Sequence, residues 1–148
     1  MAIITVLLAH RDKSIRNAYL HLLGPEKGIQ VVAEARSGPE VIRATTRLHP
    51  QILLLDLNLS HGSGIGLFRL LRQKSPRTKV IVLVHEASEA RILKALSCGA
   101  LGYLEDKPVP TLSVKAVRLV EAGGVWVPRK MIPRIVRHLI RLAAGQVS

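Results

Sequence analysis

One aspartate stands out as the residue best placed to do chemistry. Asp56 directly follows four apolar residues, 52–55, and precedes a glycine-rich loop at 61–64. A short apolar run bounded by turn residues is typical of a strand that is buried on both faces of a parallel sheet. In such sheets, ligands and reacting groups gather at the carboxyl ends of the strands. The sequence therefore predicts that Asp56 lies in a functional site at that edge.

The other polar residues form no recognised catalytic pattern. The chain has no dinucleotide-binding glycine motif, no Walker motif and no metal-ligand spacing among its six histidines. His10, at the end of the first predicted strand, is the only candidate acid or base, and we interpret it as a polar loop residue. His85 follows the fourth predicted strand, and we assign it to a loop that switches conformation. We therefore expect that the chain is not an enzyme.

The composition indicates one domain with a basic surface. The 148 residues are 48% hydrophobic but only 3% aromatic, which predicts an aliphatic core. The formal charge of +12, from 22 Lys and Arg against 10 Asp and Glu, favours a polyanionic partner or a basic working surface. No apolar run approaches the ~20 residues that a membrane-spanning helix needs. The single cysteine, Cys98, excludes a disulfide within the chain and leads us to expect a cytoplasmic location.

Alternating strand and helix patterns predict the elements that position Asp56. Five aliphatic or β-branched runs predict strands at 3–9, 29–33, 51–56, 79–84 and 101–104. Helical spacing and capping residues predict helices at about 12–23, 37–49, 66–73, 87–97 and 111–122. Right-handed crossovers then place helices on both faces of one parallel sheet. We predict a doubly wound α/β fold with five strands in the order 2-1-3-4-5.

Two helices have apolar faces that bear on packing. In the helix at 66–73, Leu67, Leu70 and Leu71 are predicted to face inward. A further helix at about 129–144 carries a basic face opposite an apolar stripe of Ile132, Ile135, Val136, Leu139 and Ala143. That helix packs on the domain, dimerises or connects to a further segment. We predict a domain at 1–124, followed by a basic amphipathic linker or dimerisation helix at 125–148.

Three stretches together resemble a known family. They are Leu-Leu-Leu-Asp-Leu at 53–57 with Gly64 downstream, Gly-Ala-Leu-Gly-Tyr-Leu at 99–104, and Glu-Ala-Gly-Gly-Val-Trp-Val-Pro at 121–128. They resemble the receiver domain of bacterial two-component response regulators, in the branch joined to LuxR-type helix-turn-helix output domains. The resemblance covers about residues 3–128. It implies that Asp56 is the phosphoacceptor for a histidine kinase, and that His85 and Tyr103 lie on the face that switches and signals.

The residues after the first predicted strand depart from that family. The family holds Mg²⁺ with an acidic pair, because this hard cation prefers carboxylates. In this chain the pair is His10-Arg11, and Asp12 comes one position late. Arginine cannot bind Mg²⁺ and keeps its charge in proteins. We therefore expect no bound Mg²⁺ or other cofactor, and we predict that Arg11 occupies the vacated metal site and pairs with Asp56.

The residues that would contact the phosphoryl group depart from the family as well. The Thr or Ser hydroxyl expected at the end of the fourth strand is Val84, which cannot donate a hydrogen bond. The lysine expected at the end of the fifth strand is Asp106, and Lys107 follows one residue later. A local bulge would return Lys107 to the site. With Asn58, two positions after Asp56, these residues complete the degenerate pocket.

Three hypotheses about function are consistent with these observations. In the first, the chain is an atypical receiver in transcription control that does not depend on Mg²⁺-dependent phosphorylation. It works as a homodimer away from membranes and contacts DNA through an output domain beyond residue 148. In the second, a histidine kinase still phosphorylates Asp56, and cationic side chains replace the metal. In the third, the basic tail binds nucleic acid phosphates, although the interleaved aromatic residues that stack on bases are missing.

Overall fold

The computed structural model of the chain describes residues 2–59, 65–86, 88–106 and 109–145. Lys107 and Gly64, two residues used in the sequence predictions, lie outside these ranges. None of the helices within them combines the length and the apolar character needed to cross a bilayer.

Five parallel strands form one sheet in the order β2-β1-β3-β4-β5, which confirms the predicted fold and strand order. The strands are β1 (Ile4–Ala9), β2 (Ile29–Ala35), β3 (Ile52–Asp56), β4 (Lys79–Val84) and β5 (Gly102–Glu105). Their β-branched and aliphatic side chains pack well on a pleated surface. β3 occupies the centre of the sheet and is buried along its whole length, as its unbroken apolar run predicts.

Helices connect the strands and cover both faces of the sheet. They are α1 (Lys13–Leu23), α2 (Gly38–Leu48), α3 (Ile65–Lys74), α4 (Glu89–Ser97), α5 (Ser113–Glu121) and, after one tight turn at Arg129–Met131, α6 (Ile132–Gly145). Asp12 begins α1, because its Oδ1 accepts hydrogen bonds from the backbone N–H groups of Ser14 and Ile15. Ser37 begins α2 in the same way, through the Glu40 N–H.

The core has two aliphatic layers, one on each face of the sheet. Successive side chains of a strand point to opposite faces, so Leu7 packs with α2, α3 and α4 while Leu8 packs with α1 and α5. Tyr19 of α1 lies fully buried in the second layer. The two layers fix the sheet between the helices and hold its carboxyl edge, where the chemistry is expected, in a defined position.

The prediction for the inward face of α3 was partly wrong. Leu67 and Leu71 are buried, and Phe68 is buried beside them. Leu70 is 42% exposed, because the buried face of the helix follows positions 67, 68 and 71 and leaves position 70 on its flank. Leu70 therefore forms part of the surface between α3 and α2.

The segment after α5 is attached to the edge of the sheet. Trp126 pairs with Gly102 of β5: its N–H donates to Leu101 O at 2.9 Å and its carbonyl accepts the Tyr103 N–H at 3.0 Å. A Cβ atom at position 102 would lie 2.6 Å from the Trp126 carbonyl oxygen, so only glycine fits there. Beyond this pairing Met131 is buried, while the apolar residues of α6 are partly or largely exposed.

Candidate functional site

Polar side chains from four strand ends meet in one cavity at the carboxyl edge of the sheet. β1 supplies the residues that follow Ala9, β3 supplies its last residue, and β4 and β5 supply the residues after them. The cavity has a volume of about 240 Å³ and is lined by His10, Arg11, Asp12, Ile15, Asp56, His85 and Asp106. We call it the Asp56 pocket. Its place is the one predicted for Asp56 from the strand pattern.

Asp56 is buried, and each of its carboxylate oxygens accepts a backbone hydrogen bond. Oδ1 accepts the N–H of Asn58 at 2.9 Å, and Oδ2 accepts the N–H of Arg11 at 3.3 Å. The Arg11 side chain brings Nε to 3.7 Å from Oδ2. The structure thus places Arg11 beside Asp56 as the sequence predicted, with its side chain 59% exposed at the mouth of the pocket. Asn58 contributes its backbone here rather than its amide.

His10 lies in the loop directly after β1, as interpreted from the sequence, but it is a buried member of the pocket. Its Nδ1 accepts the backbone N–H of Asp12 at 3.0 Å, so the ring hydrogen lies on Nε2. Nε2 then donates to Asp106 Oδ2, 2.7 Å away. The same ring lies between two carboxylates, since Nδ1 is 3.6 Å from Asp56 Oδ2. No local sequence pattern could indicate this contact, because 96 positions separate the hydrogen-bonded partners.

Asp106 enters the pocket where the family resemblance places a lysine. Its backbone N–H donates to Val84 O at 2.9 Å, so the pairing of β4 and β5 continues to this residue without a bulge. The side chain is fully buried, and Oδ1 has no hydrogen-bond partner among the described residues. His85 Nδ1 lies 3.9 Å from Oδ1, which is too far for a hydrogen bond. His10 is therefore the main compensation for the buried Asp106 carboxylate.

Two residues of α1 support the pocket and were not identified as site residues from the sequence. Arg16 donates from Nη1 to the His10 carbonyl at 2.7 Å and from Nε to Glu34 Oε1 at 3.2 Å, so it fixes the backbone that carries His10. Tyr19 lies in the core layer that includes α1 and α5, and its buried hydroxyl has no partner among the described residues. Burial raises the pKa of Tyr19, and the negative charges of Asp106 and Asp56 raise it further. The sequence pattern did not indicate that these two carboxylates lie near Tyr19.

The remaining predicted site residues lie around the pocket. Val84, at the end of β4, is buried and presents only an aliphatic side chain. His85 is partly exposed at the rim. Tyr103 is buried in the layer that includes α4, and burial raises its pKa, with smaller effects from Glu105 and Glu89. Tyr103 thus lies outside the Asp56 pocket.

Comparison with known proteins identifies close similarities. Residues 6–117 match the family model described as the response regulator receiver domain. The chain is 26% identical to the transcriptional regulatory protein DegU of Brevibacillus brevis over 139 residues, 94% of this chain and 59% of DegU. It is 33% identical to the transcriptional regulatory protein UhpA of Salmonella typhimurium over 143 residues, 97% of this chain and 68% of UhpA.

Solved structures show the same similarity. A LuxR-family two-component response regulator from Aurantimonas sp. superposes with a TM-score of 0.80 at 26% identity, covering 94% of this chain and 99% of that one. Among the curated relatives, the chain spans about three fifths of the length of DegU and about two thirds of that of UhpA.

Proposed function

We propose that this chain, which belongs to the response regulator receiver family of two-component systems in its LuxR-type branch, is an atypical receiver. In this proposal it signals without Mg²⁺-dependent phosphorylation of Asp56. The observation that carries the proposal is the internal pairing of the pocket. Arg11 lies beside the Asp56 carboxylate, and His10 donates to the Asp106 carboxylate. The residues at the family's metal-binding and phosphoryl-contacting positions therefore pair with one another in this chain.

The atoms beside Asp56 do not fit Mg²⁺, which prefers carboxylate, carbonyl and water oxygens. His10 and Arg11 stand at the positions of the family's acidic pair, and their side chains present nitrogen atoms to Asp56 Oδ2 at 3.6 and 3.7 Å. The guanidinium of Arg11 is a fixed positive charge that would repel a cation. Within the described ranges, no group of three or more His, Cys, Asp or Glu side chains is arranged to hold a metal ion.

The surroundings of Asp56 also disfavour an added phosphoryl group. Val84 offers no hydroxyl to a phosphoryl oxygen. Asp106 is a buried carboxylate in the same pocket, and like charges repel strongly where water is excluded. These two residues take the positions that contact the phosphoryl group in the family. A phosphoryl group on Asp56 would therefore meet repulsion where the family provides attraction.

Intact mass spectrometry after incubation with acetyl phosphate, with and without Mg²⁺, tests the proposal. We expect no phosphoryl adduct under either condition. Asp56→Asn controls for adducts elsewhere on the chain. A receiver that has the acidic pair, the hydroxyl and the lysine, treated in parallel, shows that the reagent is active. An adduct that requires both Mg²⁺ and Asp56 would contradict the proposal, because the chain would then hold the metal by other residues.

A second candidate function is metal-independent phosphorylation of Asp56, and one observation favours it. The Arg11 side chain is largely exposed and only 3.7 Å from the carboxylate, so it has room to follow a phosphoryl group and stabilise its charge. An adduct that forms without Mg²⁺, is absent in Asp56→Asn and is lost in Arg11→Gln would establish this function in place of the first.

The wider role rests on the relatives. DegU and UhpA are transcriptional regulatory proteins. In our proposal this chain also serves transcription control, in the cytoplasm and as a homodimer. Its upstream partner is a histidine kinase, and an output domain beyond residue 148 contacts DNA. The proposal predicts that residues 1–148 alone bind random DNA weakly. Tight binding that falls steeply with rising salt would instead support direct nucleic-acid binding by the basic tail.

A further inference from the structure

A second concave surface lies beside the Asp56 pocket, between α2 and α3. It is a groove of about 740 Å³, within the range typical of sites for small organic ligands. Ile42, Leu59, Leu67 and Leu70 give it apolar walls. Leu70 is the leucine that was predicted to face inward and is 42% exposed instead. We call this surface the α2–α3 groove. Leu59 and Leu67 are themselves buried, whereas Ile42 and Leu70 remain partly in contact with solvent, which is unfavourable unless a ligand covers them.

Three arginines border the α2–α3 groove. Arg36 lies 3.6 Å from Glu40, and Arg11 lies 3.7 Å from Asp56, so each of these has one carboxylate partner. Arg43 has no ion-pair partner among the described residues, and its side chain lines the groove. Both existing pairs involve arginine side chains that are more than half exposed, so they are weak and readily exchanged. The groove therefore combines an apolar surface with an excess of positive charge.

The position of the groove in the fold is one where ligands bind. In a sheet of order 2-1-3-4-5, the chain after β1 and the chain after β3 diverge to opposite faces and leave a crevice at the carboxyl edge. Arg11 follows β1, and Asn58 and Leu59 follow β3, and all three line the groove. The groove is thus the outward continuation of the crevice that contains Asp56.

We propose that the α2–α3 groove binds a small organic acid, with its apolar body against Leu67 and Leu70 and its carboxylate among the arginines. A carboxylate matches the guanidinium groups by charge and by paired hydrogen bonds, and an apolar body matches the leucine walls. α6 also carries an exposed apolar face and a basic face, but these lie on opposite sides of a convex helix surface and would leave much of a small ligand in water. Ile42, Arg43 and Leu70 belong to the groove and not to the Asp56 pocket, so they test this site separately from Asp56, whereas Arg11 lines both.

Amide NMR titration of the whole chain with phenylbutyrate, and with phenylbutanol as its uncharged counterpart, tests the proposal. We expect saturable shifts at the amides of Ile42, Leu59 and Leu70, with the alcohol roughly tenfold weaker because it cannot pair with guanidinium. Added salt should weaken binding of the acid and leave the alcohol unchanged. Equal affinity for acid and alcohol, shifts confined to α6, or no saturable shift would each overturn the proposal.

Two pairs of matched variants locate the site. Leu70→Gln should weaken phenylbutyrate about fivefold, whereas Leu142→Gln, which alters an equally exposed leucine on α6, should change it less than about twofold. Arg43→Gln should weaken the acid about fivefold and spare the alcohol, whereas Arg47→Gln, one turn further along α2 and outside the groove, should affect neither. An unchanged amide spectrum away from the groove confirms that each variant is folded. Equal effects within either pair would contradict the assignment.

Discussion

The Asp56 pocket and the α2–α3 groove lie side by side at the carboxyl edge of the sheet and share Arg11. They differ in the burial and in the pairing of their charged side chains. In the pocket the carboxylates of Asp56 and Asp106 are buried, and each has a donor from the chain itself: backbone N–H groups and Arg11 for Asp56, and His10 for Asp106. In the groove the arginines are exposed, and Arg43 has no partner within the described ranges.

The difference follows from solvation. A buried charge must be compensated when the chain folds, because it has lost its hydration. An exposed guanidinium remains hydrated and can stay unpaired at little cost until a ligand arrives. The pocket is therefore a site whose charges contribute to stability, whereas the groove is a site whose charges are available for binding. Substitutions that separate stability from binding should distinguish the two regions.

The largest expected effect comes from removing the donor to Asp106. His10→Ala should lower the free energy of unfolding by about 3 kcal/mol, because it leaves a fully buried carboxylate without its hydrogen bond. Urea unfolding measures the change. His21→Ala, on the exposed surface of α1, is the control and should stay within about 0.5 kcal/mol of the parent. A loss below about 1 kcal/mol for His10→Ala would mean that the pocket does not depend on this pair.

A smaller effect comes from the arginine that supports His10, and the chain offers a closely matched pair. Arg16 and Arg118 each contact one glutamate at 3.2 Å and also donate to a backbone carbonyl, but the Arg16 side chain is 8% exposed and that of Arg118 is 48% exposed. Arg16→Ala should cost about 2 kcal/mol in thermal or urea unfolding, and Arg118→Ala about 0.5 kcal/mol.

Two outcomes would contradict the contrast between the pocket and the groove. If the two arginine variants lose similar stability, burial does not control the strength of the charged contacts, and the contrast between pocket and groove is lost. If Arg16→Ala also weakens phenylbutyrate binding, the groove depends on the pocket and the two are not separate sites. We expect its affinity to stay within about twofold of the parent.

The smallest effect concerns the buried hydroxyl of Tyr19. Tyr19→Phe should change stability by less than about 1 kcal/mol at neutral pH, because the hydroxyl has no hydrogen-bond partner in the described part of the chain. Since burial raises the pKa of Tyr19, the unfolded chain ionises first, and stability is lost as pH rises above the ordinary value of 10.0.

Urea midpoints between about pH 9 and pH 11 measure this alkaline loss, which should be shallower in Tyr19→Phe than in the parent. Tyr103→Phe, at the other buried tyrosine with a raised pKa, should change the slope in the same direction but by less. A parent and a Tyr19→Phe variant with identical slopes would show that the phenol is not held neutral by its surroundings.

The pattern of apolar residues along the chain was enough to predict the sheet. The apolar run of β3 and the alternating elements fixed the strand order, because local burial and right-handed connections leave few alternatives. The contact of Arg11 with Asp56 was predicted from the family resemblance, because Arg11 takes the place of a metal-binding carboxylate. In the structure both residues lie at the ends of neighbouring strands at the same edge.

The predictions that failed depend on how elements meet in three dimensions. The burial of the loop residue His10 was missed, because its partner Asp106 comes from a distant part of the sequence. Leu70 was placed inward because helical spacing does not show which flank of α3 faces α2. The α2–α3 groove could not be predicted for the same reason: its walls come from four separate segments of the chain. Sequence spacing carries no information about their relative distances.

Trp126 gives the tail a mechanical connection to the sheet. It is hydrogen-bonded to Leu101 and to Tyr103 of β5, the strand that leads into Asp106, and α6 begins six residues later. Met131, which lies between Trp126 and α6, is also buried, so the short segment that joins them is packed against the domain. The chain that leads into α6 is therefore held against the edge strand whose far end borders the Asp56 pocket.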